Sequence, residues 1–589
     1  MYLEKINSPK DLKGLSINEL NVLCDEVRQA LLKKLSEHGG HIGPNLGAVE
    51  LTVAMHYVFN SPEDKFVFDV SHQSYIHKML TGRKDAFLNA EKYDDVTGYS
   101  NPEESEHDFF TIGHTSTSIS LACGLAKARD LKGTEENVVA VIGDGSLSGG
   151  EAYEGLNNAV ETGTNMIVIV NDNEMSIAEN YGGLYGNLRD LRESNGTSSN
   201  NFFKAIGFDY YYVSEGNDVS EVIEVLKQVK DTDKPVVVHV HTLKGKGFEP
   251  AEQNKEAFHA GGPFDIETGA PKFAAPAVET YISITGDFLF DKVKNDPKVA
   301  VITSGTPFST GFNAERKKEA GKQFIDVGIA EEHAVALASG MGKNGATPVY
   351  SVLSTFIQRT YDQLSHDLCL NNNPATILVQ LASVYGLNDS THLGLFDIAM
   401  MGNIPNLVYL APASKEEYIA MMSWSMKQKE HPVAIRVPGG SVVSTGVEDT
   451  TDYSILNKYK VTKEGEKVAI IALGGFYGMG EKVAEKLAKD CNINATLINP
   501  KFITGVDEEL LGKLEKDHQL VITLEDAILE GGFGEKISRF YGLSNMKVKN
   551  YGIKKGFPDR YVVDELLKAN GISVEQITED INKVLADKQ

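Results

Sequence analysis

The chain has 589 residues, with 82 acidic against 57 basic side chains and a net charge of −25. That balance excludes nucleic acid as the main partner, because a phosphate backbone requires a surplus of Lys and Arg. Hydrophobic residues at 41% and charged residues at 24% exclude a disordered chain and predict about three to five globular domains. The opening MYLEKINSPKDLKGLS carries charges where a signal peptide needs an apolar core, and no stretch approaches the ~18 uninterrupted apolar residues of a membrane span. Cys24, Cys123, Cys369 and Cys491 form no CxxC pair. The expectation is a cytoplasmic protein without a disulfide framework, a zinc site or a membrane segment.

Short runs rich in Val and Ile recur in chain order, each followed by Gly or a polar cluster and then a helical pattern. They are Val138–Ile142, Met166–Val170, Val236–Val240, Val299–Thr303, Thr376–Val379, Leu407–Leu410, Val433–Val437, Val468–Leu473 and Leu520–Leu524. Such runs suit strands buried on both faces, and their alternation with helices predicts parallel α/β sheets. There are too many for one sheet. Residues 249–280, rich in Pro, Gly and Ala, read as a linker, and the polar, turn-rich stretch 439–466 reads as a second boundary. The fold class is therefore α/β, with three doubly wound open-sheet domains at 1–275, 280–450 and 455–589. Tyr185–Asn201 reads as a mobile surface loop.

The strongest chemical signal lies in residues 138–176. One strand ends at Gly143-Asp144-Gly145, a helix follows, and the next strand ends at Asn171-Asp172-Asn173. In an open α/β sheet both tips lie at the carboxyl edge, where ligands bind. A single Gly-Asp-Gly is most simply a capped turn. With a second polar tip one strand later, Asp144 and Asn173 form a hard, incomplete oxygen site suited to Mg²⁺, and the glycines let a diphosphate approach the backbone.

These residues resemble the diphosphate- and metal-binding motif of thiamine-diphosphate enzymes. A second motif, FIDVGIAEEHAVALASGMG at 324–342, places Glu331 at the start of a helix, where transketolase-like enzymes carry the Glu that hydrogen-bonds N1′ of the aminopyrimidine. The metal motif precedes the Glu motif, as in transketolases and opposite to pyruvate-decarboxylase-like members. Further segments resemble one branch, the 1-deoxy-D-xylulose-5-phosphate synthase family: GGHIGPNLGAVELTVAMHYVF (39–59), FDVSHQSYIHKMLTGRKD (68–85), GHTSTSISLACGLA (113–126), NDNEMSIAEN (171–180), KGKGFEPAE (244–252), STFIQRTYDQLSHD (354–367) and THLGLFD (391–397).

The resemblance implies a transketolase-like fold in which a diphosphate- and Mg-binding domain, a pyrimidine-binding domain and a C-terminal domain follow in that order. It implies thiamine diphosphate and Mg²⁺ as cofactors, with Asp144, Asn173 and the carbonyl of Met175 on the metal. His72, Gly113, His114, Thr115, Gly145 and Ser146 would contact the cofactor, with Phe248 beside it and Phe356 packed on the pyrimidine. His41, His259 and His392 would serve proton transfer and substrate binding beside the catalytic Glu331. The implied reaction decarboxylates pyruvate and joins the two-carbon unit to an aldehyde, glyceraldehyde 3-phosphate in the family, in a homodimeric transferase feeding isoprenoid, thiamine or pyridoxal synthesis. Transketolase-type ketol transfer without CO₂ release and a non-catalytic relative are the competing readings.

The acceptor side departs from the family pattern. Leu381 replaces the Arg of an Asp-Arg-Ala-Gly segment, Gly439 the Arg of a Tyr-Pro-Arg-Gly segment, and Glu91 a third Arg. Leu353 stands for the Tyr before Ser-Thr-Phe, and Asn388 for the Asp before the active-site His. A lost charge-assisted phosphate contact costs about 1.5–3 kcal/mol, so two would cost about 10²–10⁴-fold. Either Arg359, Arg436 or Lys92 compensates, or the acceptor differs and carries no phosphate.

Overall fold

The computed structural model describes residues 1–273 and 278–586. The chain divides into two compact units. The first comprises 1–277 with 328–330, and the second 278–327 with 331–589.

The first unit is built on a five-stranded sheet in the order Lys65–Phe68, Val138–Gly143, Ile167–Asp172, Val236–His241 and Asp209–Val213. All its pairings are parallel. Successive side chains feed opposite faces, as a strand's period of two requires. Val139, Val141 and Ile169 enter one core cluster, while Ala140, Ile142, Val168 and Val170 enter another on the opposite face. Helices close both faces. Ile17–His38 begins with a reciprocal Ser16–Glu19 capping box and buries Leu20, Leu23, Val27, Leu31 and Leu35 along one stripe.

The second unit holds two sheets. A six-stranded parallel sheet runs Val408–Leu410, Val433–Pro438, Thr376–Ala382, Thr347–Leu353, Val299–Thr303 and Phe324–Asp326. A five-stranded sheet runs Lys460–Lys463, Thr496–Asn499, Lys467–Ala472, His518–Ile528 and Lys547–Ile553, with only its first edge strand antiparallel. One apolar cluster joins Ile377 and Val379 of the first sheet to Ala469, Ile471 and Val521 of the second.

Two expectations need correction. Tyr185–Asn201 is not a mobile loop: Gly183–Glu193 is a helix with Leu188 and Leu191 fully buried, because Leu184, Leu188 and Leu191 fall on one helical stripe. The predicted linker 249–280 is largely folded, with the helix Glu249–Gln253 and with Ala251 and Phe264 in the core of the first unit. Its residues 274–277 lie outside the described residues.

Candidate active-site residues

In the first unit the two polar strand tips stand side by side. The parallel register places Gly143 opposite Asn171, and the Asp144 amide donates to the Asn171 carbonyl at 3.2 Å. Asp144 is buried, and its Oδ2 accepts from Asn180 Nδ2 at 2.6 Å. Burial, reinforced by the neighbouring charge of Asp172, raises its pKa well above the ordinary carboxyl range. The buried amide oxygens of Asn173 and Asn180 have no hydrogen-bond partner. A desolvated carboxylate with two amide oxygens lacking donors is the oxygen-rich environment a hard cation fits. Among the described residues no group of three or more His, Cys, Asp or Glu is placed to hold a metal ion, so this site would rest on one carboxylate and on amide and backbone oxygens.

Around this pair the backbone is held tightly. A Cβ on Gly145 would lie 2.8 Å from that of Ser176, so the turn admits only glycine without a shift. Buried Asp69 accepts from the amides of Ser116 (2.8 Å) and Ser118 (3.0 Å), fixing the chain that follows Gly113, His114 and Thr115. Ser116 Oγ donates to the Ser146 carbonyl at 2.7 Å. Met175 forms a bridge with Glu179 beside the tip. Asp172 pairs with Arg192 at 2.5 Å and with His239 at 2.8 Å. Burial alone would raise the Asp172 pKa, but the His239 hydrogen bond and the Arg192 charge outweigh it and hold the carboxyl below its ordinary value.

His41, His72 and His259 come together, with ring centroids 5.0, 5.2 and 5.9 Å apart. A two-stranded ribbon pairs Gly40–His41 with Ala260–Gly261, and Asn45 Nδ2 donates to the carbonyls of His41 (2.9 Å) and His72 (2.8 Å). Buried Lys244 donates to the Ser176 carbonyl at 2.6 Å and to His259 Nδ1 at 3.1 Å. Burial lowers the Lys244 pKa to about 8 against the pull of Asp144. Burial and the Lys244 charge push His259 well below its usual value, so it stays neutral at pH 7. Phe248 is not among these groups. It packs against Phe258 (5.5 Å) and Phe264 (5.4 Å) in the apolar core of the first unit.

In the second unit Glu331 opens the helix Glu331–Lys343 and is buried. Its Oε2 lies 3.6 Å from Arg359 Nη1, too far for a hydrogen bond, and has no hydrogen-bond partner. Burial, opposed by Arg359, raises its pKa to about 7. Phe356 meets His392 edge to face at 5.6 Å, and Thr391 Oγ1 lies 2.8 Å from His392 Nδ1. Burial lowers the His392 pKa, with Asp389 opposing. Each of the proposed compensating cations lies beside a carboxylate. Arg436 is buried against Asp397 (2.7 Å) and Asp526, Lys92 pairs with Asp85 at 3.2 Å, and Arg359 faces Glu331. Glu91 is exposed on the turn Ala90–Asp95, and exposed Asn388 donates to the Tyr561 carbonyl at 3.1 Å.

Sequence reasoning missed Lys244, Asn180 and Asn45. Lys244 and Asn180 lie inside segments already singled out, KGKGFEPAE and NDNEMSIAEN, and Arg359, named there only as a compensating cation, faces Glu331.

Comparison with known proteins places the chain in a family. A family model described as 1-deoxy-D-xylulose-5-phosphate synthase matches residues 3–201 and 194–242, the transketolase pyrimidine-binding domain matches 280–443, and the transketolase C-terminal domain matches 457–577. The chain is 39% identical to the 1-deoxy-D-xylulose-5-phosphate synthase of Caldanaerobacter subterraneus subsp. tengcongensis, covering 98% of both chains. It is 38% identical to that of Symbiobacterium thermophilum, covering 99% of this chain and 95% of the relative, and 36% identical to that of Halalkalibacterium halodurans over the whole of both. The chain belongs to the 1-deoxy-D-xylulose-5-phosphate synthase family, and its fold is transketolase-like.

Proposed function

We propose that this chain is a thiamine-diphosphate-dependent transferase that decarboxylates pyruvate and joins the two-carbon unit to an aldehyde, forming a 1-deoxyketose. The observation that carries the reading is Glu331: a buried carboxyl with its pKa raised to about 7 and its Oε2 lacking a hydrogen-bond partner, at the start of a helix in the pyrimidine-binding segment.

The residues present fit the cofactor. Asp144, Asn173 and the Met175 carbonyl would hold Mg²⁺. Gly113, His114, Thr115, Gly145, Ser146 and His72 would hold the diphosphate part, and Glu331 with Phe356 the aminopyrimidine. When bound, thiamine diphosphate supplies the electron sink that decarboxylation of a 2-oxo acid requires. The chain's own residues bind, orient and move protons. Glu331 holds a proton at a site from which burial has excluded water, and so can donate to a ring nitrogen. His259, kept neutral, can accept a proton, and His392 and His41 are the candidates for protonating the new alkoxide. The three-domain division at 1–275, 280–450 and 455–589, a homodimeric assembly and a cytoplasmic setting belong to the same reading.

The test is CO₂ release from pyruvate by purified protein with thiamine diphosphate and Mg²⁺, with and without an aldehyde. Release that depends on both cofactors supports the reading. Transfer from a ketose without CO₂ would replace it with ketol transfer, and no reaction of either kind would sink it.

A further inference from the structure

This inference rests on the carboligase reading and concerns the aldehyde that accepts the two-carbon unit. His392, the proton-transfer histidine of the second unit, stands in a segment, 381–397, that contains no Lys or Arg. Leu381 and Ser383 hold left-handed φ angles of 53° and 84°, which non-glycine residues keep only where the surroundings impose them. Here the Leu381 carbonyl accepts from Ser354 Oγ at 3.2 Å, and the Ser383 amide donates to the Gly394 carbonyl at 2.8 Å.

The resulting turn brings Tyr385–Gly386 against the end of strand Val433–Pro438. A Cβ on Gly439 would lie 2.5 Å from both Gly386 Cα and the Tyr385 carbonyl oxygen, and one on Gly440 would meet Tyr385 Cβ at 3.1 Å. The atoms blocking Gly439 are backbone, so a side chain there requires the turn to move. Arg436, the basic residue of that strand end, is buried and consumed by Asp397 and Asp526. Asp526 and Asp564 act on Tyr385 and Asp389 on His392, while the guanidinium groups here carry carboxylate partners: Arg436 with Asp526, and Arg560 at 3.0 Å with Asp559, which accepts from the Ser390 amide at 3.0 Å. A phosphate dianion brought here would meet these carboxylates and guanidinium groups already paired with them.

We propose that the acceptor is an aldehyde without a phosphate group, and that Leu381 and the Tyr385–Gly386 turn packed on Gly439 set that preference. Paired aldehydes isolate the phosphate: D-glyceraldehyde against D-glyceraldehyde 3-phosphate, and D-erythrose against D-erythrose 4-phosphate. Each is given to the wild-type holoenzyme with saturating pyruvate, and CO₂ and the ketose product are measured. The expected result is a kcat/KM for the unphosphorylated member of each pair about tenfold or more above its partner. Leu381→Arg, at a half-buried position, is expected to raise kcat/KM for the phosphorylated member about tenfold while leaving the KM for pyruvate unchanged. Gly439→Arg is expected to bring no such gain and to lower the unfolding temperature. CO₂ release stimulated equally by both members, by neither, or more by the phosphorylated one overturns this proposal alone. Absence of CO₂ under every condition overturns the carboligase reading and this proposal with it.

Discussion

The proposed chemistry turns on a single carboxyl at the residue scale. Glu331 has its pKa raised from 4.5 to about 7 by burial, so the folded chain binds a proton there that the unfolded chain releases. Its contribution to stability is fully present below pH 4.5 and is lost as pH rises through about 7, amounting to about 3 kcal/mol. Glu331→Gln removes this dependence. The cofactor-free variant is expected to be more stable than wild type at pH 8 and little changed at pH 4.5, as measured by urea unfolding at the two pH values. The same change is expected to lower CO₂ release about 10²–10⁴-fold, and full activity in the variant would rule out the role assigned to Glu331. Asp144→Asn is expected to weaken Mg²⁺ binding about tenfold or more, read by Mg²⁺ titration of cofactor binding. The strand and helix ends that carry Asp144, Asn173 and Glu331 were legible because each sits in a short polar motif at the end of an apolar run. The packing of Phe248 on Phe258 and Phe264 was not, since a motif position does not say which way an aromatic ring turns, and Lys244 has no meaning until the fold brings Ser176 and His259 to it.

At the scale of elements, the helix Gly183–Glu193 shows where sequence reading failed. Its glycines and asparagines resemble a loop, and its apolar stripe is only Leu184, Leu188 and Leu191. The helix is held from both ends of its function: Leu188 and Leu191 pack into the core that also contains Ile142 and Val170, and Arg192 neutralises buried Asp172. Arg192→Met leaves Asp172 beside Asp144 without its guanidinium partner, a loss on the order of 3–5 kcal/mol for a buried pair. The expected outcome is faster amide hydrogen exchange across 183–201 together with weaker Mg²⁺ binding. Unchanged exchange there would show that the leucines alone hold the helix. The central strands were legible, because Val- and Ile-rich runs buried on both faces have few alternatives, whereas Lys65–Phe68, Asp209–Val213, Thr347–Leu353, Lys460–Lys463, Thr496–Asn499 and Lys547–Ile553 were not named from the sequence.

Across the whole molecule, the boundary read at 439–466 separates two sheets whose cores are not separate. Arg436 of the six-stranded sheet is bonded to Asp526 of the five-stranded one and to Asp397, which also accepts from Tyr409 at 2.5 Å. Polar, turn-rich sequence marks where the chain crosses the surface, and says nothing of what lies beneath. Arg436→Met strands two buried carboxylates, and is expected to lower the unfolding temperature by on the order of 5–10 °C, measured by calorimetry. An unchanged midpoint would mean the shared apolar cluster is sufficient.

The ribbon that pairs Gly40–His41 with Ala260–Gly261 has a consequence for the order of synthesis. A growing chain has made every residue assigned to the diphosphate and the metal by position 175, and the last strand of the five-stranded sheet by His241. The histidine trio must wait until the chain returns to Gly40 some 220 residues after leaving it. During translation the residues proposed to hold the metal are therefore complete well before His259 can join His41 and His72.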